Sequence, residues 1–88
     1  MCTMIVEKTD VTGSGKGSSG WFRVNQATVS FDHPYFSPFD HALNIDFVNE
    51  SIGIDARVAV ELTADSARKL IKAIEEALSR GESEVGLS

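Results

Sequence analysis

The sequence predicts an α+β domain: a four-stranded antiparallel meander carrying one C-terminal amphipathic helix on one face. Three observations predict it. Four stretches rich in β-branched residues alternate with a two-residue period, turn-forming loops join them in order, and after Thr63 the apolar spacing switches to three and four residues. The chain has 88 residues, which leaves room for one core and not two. The expected domain is residues 1–81, followed by a flexible tail over 82–88.

The first strand is expected from Thr3 to Val11, with Cys2, Met4 and Val6 on one face and Thr3, Ile5 and Glu7 on the other. Gly13 to Gly20 reads Gly-Ser-Gly-Lys-Gly-Ser-Ser-Gly, which predicts a loop because so many glycines disfavour regular structure. Trp21 to Phe31 is the second strand. Its apolar positions change parity, from Phe22 and Val24 to Ala27, Val29 and Phe31, so a β-bulge is expected near Asn25 and Gln26. The third strand, His41 to Asn49, turns Leu43, Ile45 and Phe47 inward. A turn around Gly53 leads to the fourth, Arg57 to Leu62, with Val58, Val60 and Leu62 inward.

Thr63 is a natural N-cap for the helix, and Asp65 suits the positive end of the helix dipole. Ala67, Leu70, Ile71, Ile74, Ala77 and Leu78 form one apolar stripe. Asp65 is placed to pair with Arg68 or Lys69, and Lys72 with Glu76. Gly81 is placed to end the helix. One helix covers only part of a four-stranded sheet, so the remaining apolar surface predicts a homodimer or higher homo-oligomer.

Composition narrows the function. Hydrophobic residues are 42% and charged residues 24%, the balance of a chain that buries a core. Eight Lys and Arg against thirteen Asp and Glu give a net charge of −5, which argues against nucleic acid or an anionic membrane as partner. No apolar run approaches the roughly 18–20 residues of a membrane-spanning helix, and the N-terminus lacks a signal-peptide pattern. A single cysteine excludes an internal disulfide framework. A cytoplasmic protein is the expectation.

Gly13 to Ser18 superficially suggests a phosphate-binding loop. That motif needs a glycine where Asp10 stands and a helix where Trp21 to Val24 reads as strand, so a hairpin connection is expected instead. Cys2 is the only thiol. With Met1 removed it would present an α-amine beside the thiol, suited to nucleophilic or metal chemistry; otherwise it is a small residue opening an edge strand.

The richest stretch is Phe31 to His41, which holds both histidines, both prolines and four of the seven aromatic residues. Pairing the inward residues sets Ala27 against Phe47, Val29 against Ile45 and Phe31 against Leu43. One further step puts His33 across from His41, with Cβ atoms about 4.5–5.5 Å apart, within reach of a shared proton or metal. Asp32 and Asp40 precede the two histidines and are candidates to ligate or orient them. Alternatively, the histidines simply close the hairpin. Tyr35, Phe36 and Phe39 make the connecting loop unusually apolar, so it packs on its own core, lids a pocket or, as the favoured expectation, contacts a second subunit. Asn44, Asp46, Arg57 and Glu61 share the outward face and are expected to be solvated.

The Met1-Cys2-Thr3 start, the Gly-Ser-Gly-Lys-Gly loop leading to Gly20-Trp21-Phe22, Asp32-His33-Pro34, and His41-Ala-Leu-Asn-Ile-Asp-Phe47 together resemble a family of small uncharacterised bacterial proteins, a domain of unknown function. The resemblance runs from Met1 to about Glu82. It implies a bacterial, cytosolic, stand-alone domain and carries over no catalytic or binding residue.

Three functions remain open. The first is a homo-oligomeric binding protein with a small-ligand or metal site at the hairpin mouth: His33 and His41 as first ligands, completed by Asp32, Asp40 or Cys2, and suited to zinc or another late first-row divalent metal. The second is a metal-free enzyme using Cys2 or a histidine, with the aromatic loop excluding water. The third is an interaction module in which Tyr35, Phe36 and Phe39 form the partner surface.

Overall fold

A computed structural model describes residues 5–85. Strands β1 (Ile5–Gly17), β2 (Gly20–Asp32), β3 (Ala42–Val48) and β4 (Arg57–Leu62) precede one helix, α1 (Ala64–Val85). The strands form one antiparallel sheet in the order β1-β2-β3-β4. The expected meander is therefore the observed one, and it does not close into a barrel.

The β2–β3 register is the one the alternation dictates: Ala27 opposes Phe47, Val29 opposes Ile45, and Phe31 opposes Leu43. On β4, Val58, Val60 and Leu62 continue the same apolar face opposite Phe47, Ile45 and Leu43. A one-residue slip would turn every one of these side chains to the other face, which is why the pattern specifies the register so strongly.

The glycine-rich segment corrects the sequence expectation. It is strand, not loop: β1 runs through it to Gly17, and only Ser18 and Ser19 make the turn, with Gly20 at a φ of +112°. The glycines serve close approach between strands. A Cβ on Gly15 would lie 3.0 Å from Val24 Cγ2 and 3.3 Å from Val58 Cγ2, and one on Gly17 would lie 3.2 Å from Phe22 Cε1. The sheet thus curls until the end of β1 meets β4, and side chains larger than hydrogen would hold the strands apart. The irregularity in register falls between Asp10 and Gly13, so Val11 and Thr12 lie opposite Asn25 alone. The bulge stands at the expected level of the sheet, but β1 carries the extra residue.

Asn49 locks this curled end. It is 5% exposed, and its Nδ2 donates to the Arg23 carbonyl at 2.9 Å. Its Oδ1 accepts from the Ser51 hydroxyl at 2.6 Å and the Ser51 backbone N–H at 3.2 Å. Val24, Ala27, Ala42 and Ala56 are the buried apolar residues among those described.

Thr63 caps α1 as expected, its Oγ1 accepting the Ser66 backbone N–H at 3.1 Å. Asp65 pairs with Lys69 at 3.3 Å, whereas Glu76 pairs with Arg80 at 3.1 Å and not with Lys72. The helix does not stop at Gly81. It continues to Val85, because Gly81 stays out of the left-handed conformation that a terminating glycine adopts. A glycine inside a helix costs only about 1 kcal/mol relative to alanine, which the long amphipathic run tolerates. Residues 82–85, expected as tail, are its last turn. No helix is long and apolar enough to cross a membrane among the described residues.

Candidate functional site

The ends of β2 and β3 bring His33 and His41 together, as the register predicts. Asp32 opposes Ala42, and one step beyond that pair the two imidazoles stack with centroids 5.0 Å apart and planes inclined by 25°. Phe31 also stacks on His41, at 5.7 Å and 9°. His41 thus contacts two aromatic rings of β2 and the loop that follows it.

Each neighbouring aspartate is engaged differently from expectation. Asp32 Oδ1 accepts the backbone N–H of His33 at 2.7 Å, closing the mouth of the loop. Asp40 contributes its backbone carbonyl, 2.7 Å from His33 Nδ1. A carbonyl only accepts, so this bond places a proton on Nδ1. A backbone carbonyl held on one ring nitrogen fixes the orientation of the imidazole. The near-parallel stack, however, directs the in-plane lone pairs of the two rings along separate lines. No group of three His, Cys, Asp or Glu side chains suited to one metal occurs among the described residues. Cys2 lies outside the described residues.

The aromatic loop is held by a residue that the alternation pattern assigns to solvent. The Glu61 carboxylate accepts the backbone N–H groups of Tyr35, Phe36 (3.1 Å) and Ser37 (2.9 Å). The Ser37 N–H bond is the largest influence holding the Glu61 carboxyl below its ordinary pKa; desolvation opposes it, and the Tyr35 and Phe36 bonds add to it. The signal that could have found this brace is the β3–β4 register, which sets Glu61 opposite Asn44, two residues from the loop mouth. With the backbone fixed, Tyr35 and Phe36 project into solvent, 99% and 89% exposed, while Phe39 is half-buried. A depression of about 210 Å³ between His33, Tyr35, Asn44 and Glu61 adjoins the loop. Arg57 and Asp46 also line it; Arg57 Nε donates to Asp46 Oδ1 at 2.7 Å, an ion pair that pushes the guanidinium pKa up.

On the opposite face of the sheet α1 leaves a groove of about 440 Å³, lined by Val29, Phe31, Leu43 and Ile45 from the strands and by Ala67, Leu70, Ile71 and Ile74 from the helix. No residue of α1 is buried.

A four-stranded antiparallel meander with a single C-terminal helix, an unfilled apolar groove and a braced aromatic loop defines the class of protein. Within that class the chain belongs to the family of unknown function DUF6295, whose sequence profile matches residues 1–87. Neither the curated proteins nor the solved structures gave a match to the chain.

Proposed function

We propose that this protein is a homo-oligomeric binding module, self-assembling through its helix-bearing face and presenting the His33/His41 hairpin mouth with Tyr35 and Phe36 as its ligand-binding end. The observation that carries the reading is the unburied amphipathic helix: Leu70, Ile71, Ile74 and Leu78 are each 41–54% exposed on one stripe. An apolar stripe of that length left in water is unfavourable by about 25 cal/mol per Å², and a second subunit removes it. The one cysteine and the family resemblance support work in a bacterial cytosol. Sedimentation equilibrium across a concentration series tests the assembly: a mass above 9.5 kDa that follows mass action is expected, and a monomer throughout overturns the reading.

A second reading is favoured by one contact, the Nδ1-to-carbonyl bond that orients His33. In it, the hairpin mouth takes a late first-row divalent metal on His33 and, after rotation of its ring, His41, with Asp32, Asp40 or Cys2 completing the set. Elemental mass spectrometry of tag-free protein, with and without prior zinc loading and dialysis, decides it. Near-stoichiometric metal that disappears in the His33→Ala, His41→Ala double variant supports the site, and metal-free protein in every sample overturns it.

A further inference from the structure

The accessible surface of the chain is 7004 Å². A compact monomer of 9.5 kDa would expose roughly 5000 Å², so the excess is about 2000 Å². The radius of gyration agrees: it is 14.8 Å, where about 12 Å is expected for a compact chain of this length. Standard interfaces bury about 800 Å² per partner, and obligate homodimers about 1000–2500 Å². A surplus of that size is comparable with the area that an obligate dimer removes from each chain.

One part of it lies along α1, where Leu70, Ile71, Ile74, Leu78 and Val85 are exposed. The helix residues lining the groove end at Ile74, yet the stripe runs on through Ala77, Leu78, Gly81 and Val85. The last turns of α1 therefore carry apolar side chains that the chain's own sheet does not meet. A Cβ on Gly81 would find nothing within 4 Å. Such a gap on an apolar stripe suits the close approach of a second backbone.

We infer that the groove between α1 and the sheet is occupied by α1 of a second copy of this chain, running antiparallel and crossing near Ile74. The inference rests on the self-assembly proposed above and names its surface. Reflection about Ile74 sets Ala67 against the partner's Gly81 and Leu70 against the partner's Leu78, so small and large residues alternate along the crossing. Arg68 and Glu82 lie on one flank of the stripe, and the reflection brings each near the other's copy in two reciprocal charge pairs. Glu75, midway between them, comes near its own copy and is the unfavourable contact of the arrangement. The interface is isologous and closes at two chains.

The test uses the full chain in sedimentation equilibrium with two kinds of variant. Ile74→Glu is expected to give a monomer of unchanged helical circular dichroism, with a dimer dissociation constant raised at least about a hundredfold, because each dimer would bury two unpaired carboxylates. In a Cys2→Ser background, Ile74→Cys is expected to form a disulfide-linked dimer on mild oxidation, whereas Ala59→Cys, on the opposite face, is not. A dimer that survives Ile74→Glu without cross-linking through position 74 overturns this inference and leaves self-assembly standing. A wild-type chain that is monomeric throughout overturns both. Should Ile74→Glu fail to fold, the cross-linking pair decides alone: a disulfide-linked dimer through position 74 and none through position 59 supports the crossing, and any other pattern overturns it.

Discussion

Of the two apolar regions of this sheet, the glycine-rich end is sealed and the region under α1 is left open. At the glycine-rich end, β1 curls over β4, hydrogen atoms stand where side chains would collide, and Asn49 ties the turn after β3 to β2. Val24, Asn49 and Ala56 are buried there without help from the helix. Under α1 the apolar side chains are larger and more numerous, yet no helix residue is buried. Number of hydrophobic residues does not decide closure. Distance between backbones does: a sheet edge brought within van der Waals contact by glycines excludes water, while a helix held off by Leu70, Ile71 and Ile74 leaves a groove.

The sharpest way to break that contrast is Gly15→Val. The new side chain would overlap Val24 and Val58, force the curl open and destabilise the fold by about 3 kcal/mol, read as a lower denaturant midpoint. Asn49→Ala attacks the same end by leaving the Arg23 carbonyl and the Ser51 donors without their partner. We expect a loss of about 2 kcal/mol, with the helical signal unfolding in the same transition.

The Glu61 brace gives a smaller, local effect with a definite pH sign. Its folded pKa lies below the ordinary carboxylate value, so its stabilisation is complete above that ordinary value and is lost as pH falls through the lower, folded one. Amide exchange at Tyr35, Phe36 and Ser37 should accelerate across that acidic window, and Glu61→Ala should show the fast exchange at neutral pH. If exchange in the variant matches wild type at neutral pH, the carboxylate does not hold the loop. The smallest expected effect sharpens the helix side. In the proposed dimer, Glu75→Gln should tighten self-association by about twofold by relieving like charges near the proposed crossing, with little change in the unfolding of the isolated chain.

Much of the fold is legible because alternation has only two phases. Val29, Phe31, Leu43, Ile45, Val60 and Leu62 on one face dictate the β2–β3–β4 registers and, one step further, bring His33 onto His41. The glycine segment misleads because glycine disfavours strands in isolation; in β1 its glycines meet Phe22 and Val24 across the hairpin and Val58 from the distant β4, packing that no local pattern announces. Glu61 reads as solvated because its partners are backbone N–H groups, which every non-proline residue of the loop carries and no residue type announces. Gly81 reads as a stop because glycine favours termination, whereas the hydrogen-bonded run around it continues the helix.

By itself, then, the sequence determined the class, the strand order, the helix with its Thr63 cap and the histidine pairing, since each follows from a period or a local bond. Only the tertiary structure decided which way the sheet curls, which carboxylate holds the aromatic loop, and that the helix leaves its apolar stripe uncovered. Those outcomes depend on the separation of segments far apart along the chain, and that separation is set by side-chain size and twist summed over the whole sheet.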